Sequence, residues 1–324
     1  MSAPLENIGF YTLSDDRVRL VHAGSSLSRC ELILTDKCNF KCPYCRGVKP
    51  EYSGYLSWRA AESTVKLWMS QGLKNIRFSG GEPLLYPGLD TLVYKCSQGG
   101  INRIAISTNG SLPVSRYQRL LDMGVNDFSV SLDACCASTG DTMAGGIKGA
   151  WEKVIKTLEF LVKNTYVTVG VVLTEQNIPE MDNTVKLAHS IGVADIRLIS
   201  SAQYNVMLQG VKEIPKAVVE VYPILKYRVN NILNGRHVRG MRESDSHRCA
   251  LVLDDMAVVS NNHFPCIIYL REGGAPIGKV GPEMRKERLK WFKSHNSFQD
   301  PICQKNCLDI CCDYNNKYRE LRGP

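Results

Sequence analysis

The 324-residue chain is 44% hydrophobic and 22% charged, the make-up of an ordinary globular protein rather than a disordered or fibrous one. Its formal net charge of +8 is moderate, and no block of like charge or basic–aromatic interleaving singles out a nucleic acid, which is disfavoured as a partner. No apolar run reaches the roughly 18 residues of a membrane span, and the opening Met-Ser-Ala-Pro-Leu-Glu-Asn lacks a signal peptide's basic and apolar regions, so a cytoplasmic protein with no membrane contact is expected.

In chain order, residues 8–22 read as a short hairpin, Gly9–Leu13 and Arg17–Val21, turned at Ser14-Asp15-Asp16. A strand–helix rhythm follows. Strands are expected at Leu32–Thr35, Asn75–Phe78, Arg103–Ser107, Asp127–Ser131, Tyr166–Leu173 and Asp195–Ile199. Helices are expected from the Ser57 cap to Gln71, then at 88–96, 113–123, 151–164, 179–190 and 215–233. Six strands alternating with helices argue for a parallel sheet, curled into a barrel or doubly wound. After Asn234-Gly235 the rhythm stops and cysteine, glycine and proline become frequent. The expected domains are thus a hairpin extension over 1–24, a core over 25–235 and a small cysteine-rich unit over 236–324.

Thirteen cysteines are many for a reducing compartment, and the odd count leaves at least one unpaired, so a disulfide framework is disfavoured. Cys30, Cys96, Cys135 and Cys136 stand apart and read as small buried hydrophobes. Cys38, Cys42 and Cys45, spaced C-x3-C-x2-C directly after the first strand, read as soft ligands for iron–sulfur or zinc. Polar motifs follow the other strands in register: Ser79-Gly80-Gly81-Glu82-Pro83, Ser107-Thr108-Asn109-Gly110, Ser131-Leu132-Asp133, Thr174-Glu175-Gln176-Asn177 and Ser200-Ser201. Parallel β/α folds gather their active sites at those strand ends, so the loops describe a single ligand site.

The C-x3-C-x2-C loop combined with Gly-Gly-Glu-Pro resembles the radical S-adenosylmethionine (SAM) superfamily over residues 28–205. The resemblance implies a partial (β/α)6 TIM-type barrel with a [4Fe-4S] cluster on Cys38, Cys42 and Cys45, whose open iron takes the amino and carboxylate groups of SAM. It implies one-electron cleavage of SAM to a 5′-deoxyadenosyl radical that abstracts hydrogen from a peptide or small-molecule substrate. A flavodoxin- or ferredoxin-type donor would supply the electron, and the basic net charge fits an acidic partner. Tyr44 would lie beside the adenine, Gly80 and Gly81 would let the backbone approach the ligand, and Glu82 would receive the methionine ammonium. Thr108, Asn109 and Ser131 would serve the carboxylate and ribose, with Asp133 and Asn177 on the same wall.

The later cysteines, Cys249, Cys266, Cys303, Cys307, Cys311 and Cys312, resemble the Twitch or SPASM extensions of that superfamily, which hold auxiliary [4Fe-4S] clusters. One cluster is expected, with Cys249, Cys266, Cys303 and Cys307 as leading ligands, Cys311 as rival, and a structural zinc site as the alternative. A hairpin turned near Asp254-Asp255 is expected between the first pair, and C-x3-C-x3-C would put Cys303, Cys307 and Cys311 on one helix face. Within the core the chain resembles the GTP 3′,8-cyclase family, through the Thr-Asp-x-Cys-Asn-Phe lead-in and through Arg77, which stands where that family places a nucleotide-contacting arginine. Glu31 and Thr174 stand where that family places a substrate arginine and lysine, which argues against the same substrate. The expected function is a radical SAM oxidoreductase or maturase whose auxiliary cluster binds or oxidises the substrate. GTP cyclisation and non-catalytic electron transfer are the alternatives.

Overall fold

The computed structural model describes residues 4–204 and 209–323. Its centre is a run of six parallel strands, β1 Arg29–Thr35, β2 Asn75–Gly80, β3 Arg103–Thr108, β4 Asp127–Ser131, β5 Tyr166–Leu173 and β6 Asp195–Ser200. Each pairs in parallel with the next in sequence. The sheet continues past β1 into β7 Asp255–Val259, β8 Asn262–Phe264 and β9 Gly278–Lys279, giving the order β6-β5-β4-β3-β2-β1-β7-β8-β9 without closure. This is the partial TIM-type barrel expected.

The helices, in chain order, are α1 Asp15–Leu20, α2 Trp58–Ser70, α3 Leu89–Gln98, α4 Val114–Met123, α5 Ala137–Met143, α6 Ala150–Leu161, α7 Met181–Ile191, α8 Lys216–Val221, α9 Pro223–Leu233, α10 Ile267–Arg271, α11 Met284–Ser294, α12 Pro301–Asn306 and α13 Asp309–Arg322. None of the described helices is long and apolar enough to cross a membrane.

Alternation along the strands divides the residues between two faces. Leu32, Leu34, Ile76, Phe78, Ile104, Ile106, Phe128, Val130, Val169, Ile196 and Leu198 are buried in one hydrophobic core with Trp68, Leu92, Leu120, Leu158 and Val185 of the covering helices. The opposite, concave face carries Glu31, Arg77, Ser79, Ser107, Ser129, Ser131 and Arg197. The β2–β3–β4 loops therefore open onto a polar interior wall, tied by Ser79 Oγ to Glu31 (2.6 Å), Arg77 Nη1 to Ser107 Oγ (2.9 Å) and an Arg197–Ser129 hydrogen bond.

The N-terminal hairpin is not what forms. Ser14 Oγ accepts from Arg17 N at 3.0 Å and Asp15 and Asp16 fill the first turn, so the expected turn residues instead cap a helix, α1. The segment packs Leu5, Ile8, Leu13 and Val18 against Ala250, Leu251, Ile310 and Tyr314 of the C-terminal part. Arg17 seals the contact through Asp254 (2.5 Å) and Asp255 (3.0 Å). The expected helix over 215–233 is split in two, because Pro223 has no N–H to continue it and starts α9 instead. The hairpin expected to turn at Asp254-Asp255 turns at Ser260-Asn261, since Asp255–Val259 runs on as a buried strand beside β1. Ser260 takes φ 54° at that turn. Nor do Cys303, Cys307 and Cys311 share one helix: Cys307 (ψ 134°) ends α12, and a new helix, α13, begins at Asp309.

The C-terminal part is therefore docked on the barrel. Arg228 of α9 and Asp309 of α13 form a buried ion pair at 2.7 Å, and Arg239 Nε donates to Ser200 O at 2.8 Å. Breaking such a pair by removing one partner typically costs about 3–5 kcal/mol, far more than an exposed pair.

Candidate active site

The cysteine loop runs from the end of β1 across the top of the barrel. Cys38 and Cys45 are exposed and Cys42 is half-buried. Burial, then the neighbouring Asp133, pushes the Cys42 thiol up to about 12, so metal would bind there by displacing a proton.

What holds the loop is the Gly-Gly-Glu segment. A Cβ on Gly80, at φ +150°, would lie 2.2 Å from Thr35 O, and one on Gly81 would lie 2.3 Å from Lys37 O. Gly81 N donates to Thr35 O (2.7 Å) and Glu82 N to Lys37 O (2.8 Å). The close approach that these glycines permit is thus to the cysteine loop's own backbone, where a ligand was expected.

Glu82 is fully buried. Its Oε1 accepts from Leu84 N (3.1 Å) and Thr108 Oγ1 (2.9 Å), and its Oε2 from Asn109 N (2.8 Å). Burial outweighs these bonds and raises its pKa to about 7. A carboxylate offers about four acceptor positions, and three of those of Glu82 are filled by these donors. Thr108 is buried at the base of this network and also accepts from Gly110 N at 3.1 Å. Asn109 reaches outward, its Nδ2 lying 2.9 Å from Asn39 Oδ1 and 3.6 Å from Cys38 Sγ. Glu82 and Cys38 are therefore joined through one asparagine.

Beside Cys42 lies a cavity of about 60 Å³ lined by Tyr44, Asn109, Ser131 and Asp133 and floored by apolar Met143 and Trp151. Tyr44, Asn109 and Ser131 are thus gathered around one space. Gly80, Gly81, Glu82 and Thr108 form the brace behind it. The Tyr44 hydroxyl donates to Asp133 Oδ2, and Val172 N donates to Asp133 Oδ1 at 2.8 Å. Burial raises the Asp133 pKa to about 6 and pushes the Tyr44 hydroxyl well above its ordinary range. Asn177 does not line this cavity. It is fully buried, with Nδ2 donating to Asp133 O and Val172 O, both at 2.8 Å, and it staples the β4 and β5 loops together. Thr174 is held by the same side chain, its N donating to Asn177 Oδ1 at 2.8 Å.

Arg271, outside the strand-end motifs, also reaches the cysteine loop. From the end of α10 it donates to Gly47 O (2.6 Å) and Gly80 O (2.8 Å), clamping the cysteine loop to the Gly-Gly-Glu segment. Only the fold brings a side chain from so far along the chain to this spot. Hydrogen bonds to charged groups contribute roughly 1.5–3 kcal/mol each. Arg271→Ala is expected to speed iron loss to a chelator at least about fivefold while the thermal midpoint moves by only a few degrees. An unchanged release rate would show that the clamp does not hold the loop.

In the C-terminal part, Cys249, Cys266, Cys303, Cys307 and Cys311 line one largely apolar cavity of about 50 Å³ together with Met241, Tyr269 and Trp291. Cys312 is buried in packing, 1% exposed, and does not line it.

Residues 32–188 match the Radical SAM superfamily. A GTP 3′,8-cyclase of Pelotomaculum thermopropionicum is 39% identical over 133 residues, covering 39% of this chain and 41% of that one. A probable GTP 3′,8-cyclase of Sulfurisphaera tokodaii is 25% identical over 228 residues, covering 65% and 72%. The match thus spans about two-fifths of the first relative's length. Among solved structures, native anSMEcpe with bound AdoMet aligns with a TM-score of 0.58 at 17% identity, covering 90% of this chain and 96% of that one. Streptococcus suis SuiB bound to precursor peptide SuiA aligns at 0.57 and 15% identity, covering 88% and 67%. These likenesses show the fold. Residues 32–188 of this chain therefore carry a radical SAM domain.

Proposed function

We propose that this chain is a radical SAM enzyme acting on a peptide or small-molecule substrate, with an auxiliary [4Fe-4S] cluster in its C-terminal part. The observation that carries the reading is the continuous hydrogen-bonded brace from Glu82 through Thr108 and Asn109 to Asn39 and Cys38, beside a cavity walled by Tyr44, Ser131 and Asp133. Bound there, a cluster and SAM supply one-electron cleavage of the sulfonium and hydrogen abstraction. The protein's own part is orientation. Cys38, Cys42 and Cys45 would hold the cluster, Glu82 would take the ammonium, and Asn109 and Ser131 would take the carboxylate and ribose. Tyr44, fixed by Asp133, would flank the adenine, while Met143 and Trp151 exclude water.

The auxiliary unit would comprise residues 236–324, with Cys249, Cys266, Cys303 and Cys307 as ligands and Cys311 within reach of the same cavity. Five thiols converging on one largely apolar cavity support this reading, since a [4Fe-4S] cluster is held by cysteine thiolates. The basic net charge suits an acidic flavodoxin- or ferredoxin-type donor.

A second reading, nucleotide cyclisation, is favoured by the curated relatives and by Arg77 on the interior wall. Against it, Glu31 lies directly beside Arg77 in the sheet register and would repel a triphosphate, while Thr174 is engaged with Asn177. The deciding experiment supplies the anaerobic, cluster-loaded protein with dithionite, SAM and either GTP or candidate precursor peptides. Formation of 5′-deoxyadenosine with no GTP-derived product is expected. GTP turnover would establish the cyclase reading, and an intact cluster that never cleaves SAM would leave electron transfer.

A further inference from the structure

Cys135 and Cys136 are not the buried packing residues that their isolation in the sequence implied. Cys30 and Cys96 are fully buried, whereas the vicinal pair is only half-buried, at the rim of the barrel just after β4. The neighbouring β5 loop brings Glu180 against both. Cys135 Sγ lies 3.4 Å and Cys136 Sγ 3.9 Å from Glu180 Oε2. The Thr139 hydroxyl donates to Glu180 Oε1 at 2.7 Å, fixing the carboxylate so that its second oxygen faces the sulfurs. All three ligand atoms lie within 4.8 Å of one another.

We propose that Cys135, Cys136 and Glu180 bind one thiophilic divalent cation, of which zinc is the type, at a site separate from the iron–sulfur ligands. In tetrahedral zinc, thiolate sulfur at about 2.3 Å and carboxylate oxygen at about 2.0–2.2 Å lie some 3.5 Å apart. The observed sulfur–oxygen distances already bracket that edge. Two thiols and a carboxylate converging without a cation would repel once ionised, and a cation is the partner that their chemistry selects. Three protein ligands leave the fourth position to water, so the bound ion would exchange readily. Asn177 already ties the β4 and β5 loops together, which preorganises the ligands. Asp133, two residues before Cys135, fixes Tyr44, so the cation would pin the wall of the SAM cavity. The other such group, His295, Asp300 and Cys303, shares Cys303 with the proposed auxiliary site and adds no separate one.

The site does not depend on the proposed function, and its test keeps the two apart. Anaerobic, cluster-loaded protein is titrated with Zn²⁺ against a chromophoric chelator, with iron measured on the same samples. One zinc per chain is expected. Cys136→Ser and Glu180→Gln should each weaken binding at least about tenfold at unchanged iron, and Cys96→Ser should not. Co²⁺ in place of zinc should give a thiolate charge-transfer band that the Cys135→Ser/Cys136→Ser variant lacks. No stoichiometric zinc in the cluster-loaded parent, or full retention of it by the double variant, would overturn the proposal. Failure of the cluster assignment would instead appear as lost iron.

Discussion

Replacing Cys38 by alanine is expected to remove about four of about eight irons and all SAM-dependent 5′-deoxyadenosine, because a [4Fe-4S] cluster is held by cysteine thiolates and this loop has three to offer. The side chain is exposed, and its contacts are two weak donors, Phe40 N at 3.4 Å and Asn109 Nδ2 at 3.6 Å. Surface substitutions of that kind usually shift stability by less than about 0.5 kcal/mol. Activity should therefore vanish in a chain that still folds. Cys30→Ala is the contrasting control: that thiol is fully buried in the core, so its loss should cost stability and leave the iron count intact. Iron and 5′-deoxyadenosine assays, read beside a denaturation curve, separate the two variants. Full iron in Cys38→Ala would refute the assignment of the cluster.

Much of this site was legible because its parts recur at a fixed structural position. Each motif follows a strand, and strands are read from alternation, so Cys38, Glu82, Asn109 and Ser131 could be placed at one end of a barrel before any fold was known. What could not be read was the direction each side chain takes. Gly80 and Gly81 were assigned to a ligand, yet the atoms they make room for are Thr35 O and Lys37 O. Asn177 looked like a wall residue and is a staple between loops. Those outcomes depend on which backbone lies opposite, a tertiary fact with no local signature. The misread hairpins have a similar cause. Ser14-Asp15-Asp16 is turn chemistry and helix-cap chemistry alike, and packing of Leu13 and Val18 against the C-terminal part favours the helix. Arg271 and the Cys135–Cys136–Glu180 group escaped because their partners are distant in sequence and recognisable only once the strands stand side by side.

Glu82→Gln is expected to weaken SAM binding at least about tenfold, equivalent to about 1.4 kcal/mol, and to remove a pH dependence from both binding and stability. The glutamate sits at 0% exposure with three donors aimed at it. With its carbonyl at the Oε1 position, glutamine would keep the bonds from Leu84 N and Thr108, while its amide would confront Asn109 N. An unsatisfied buried donor costs about 1–3 kcal/mol, and the misdirected Asn109 carries the link to Cys38. The pH effect follows from the raised pKa of about 7 against an ordinary 4.5. Between those values the folded protein keeps a proton that the unfolded chain has released. Stability therefore falls as pH rises through that window, by on the order of 3 kcal/mol across it. Binding runs the other way, since only the ionised carboxylate pairs with an ammonium. SAM affinity should therefore increase from pH 6 to pH 7.5, below the ordinary α-amino range. Denaturation midpoints and anaerobic SAM titrations of parent and Gln variant over that range test both halves. A variant that binds SAM as tightly as the parent would remove Glu82 from the ammonium site and leave it as a brace for the β3 loop.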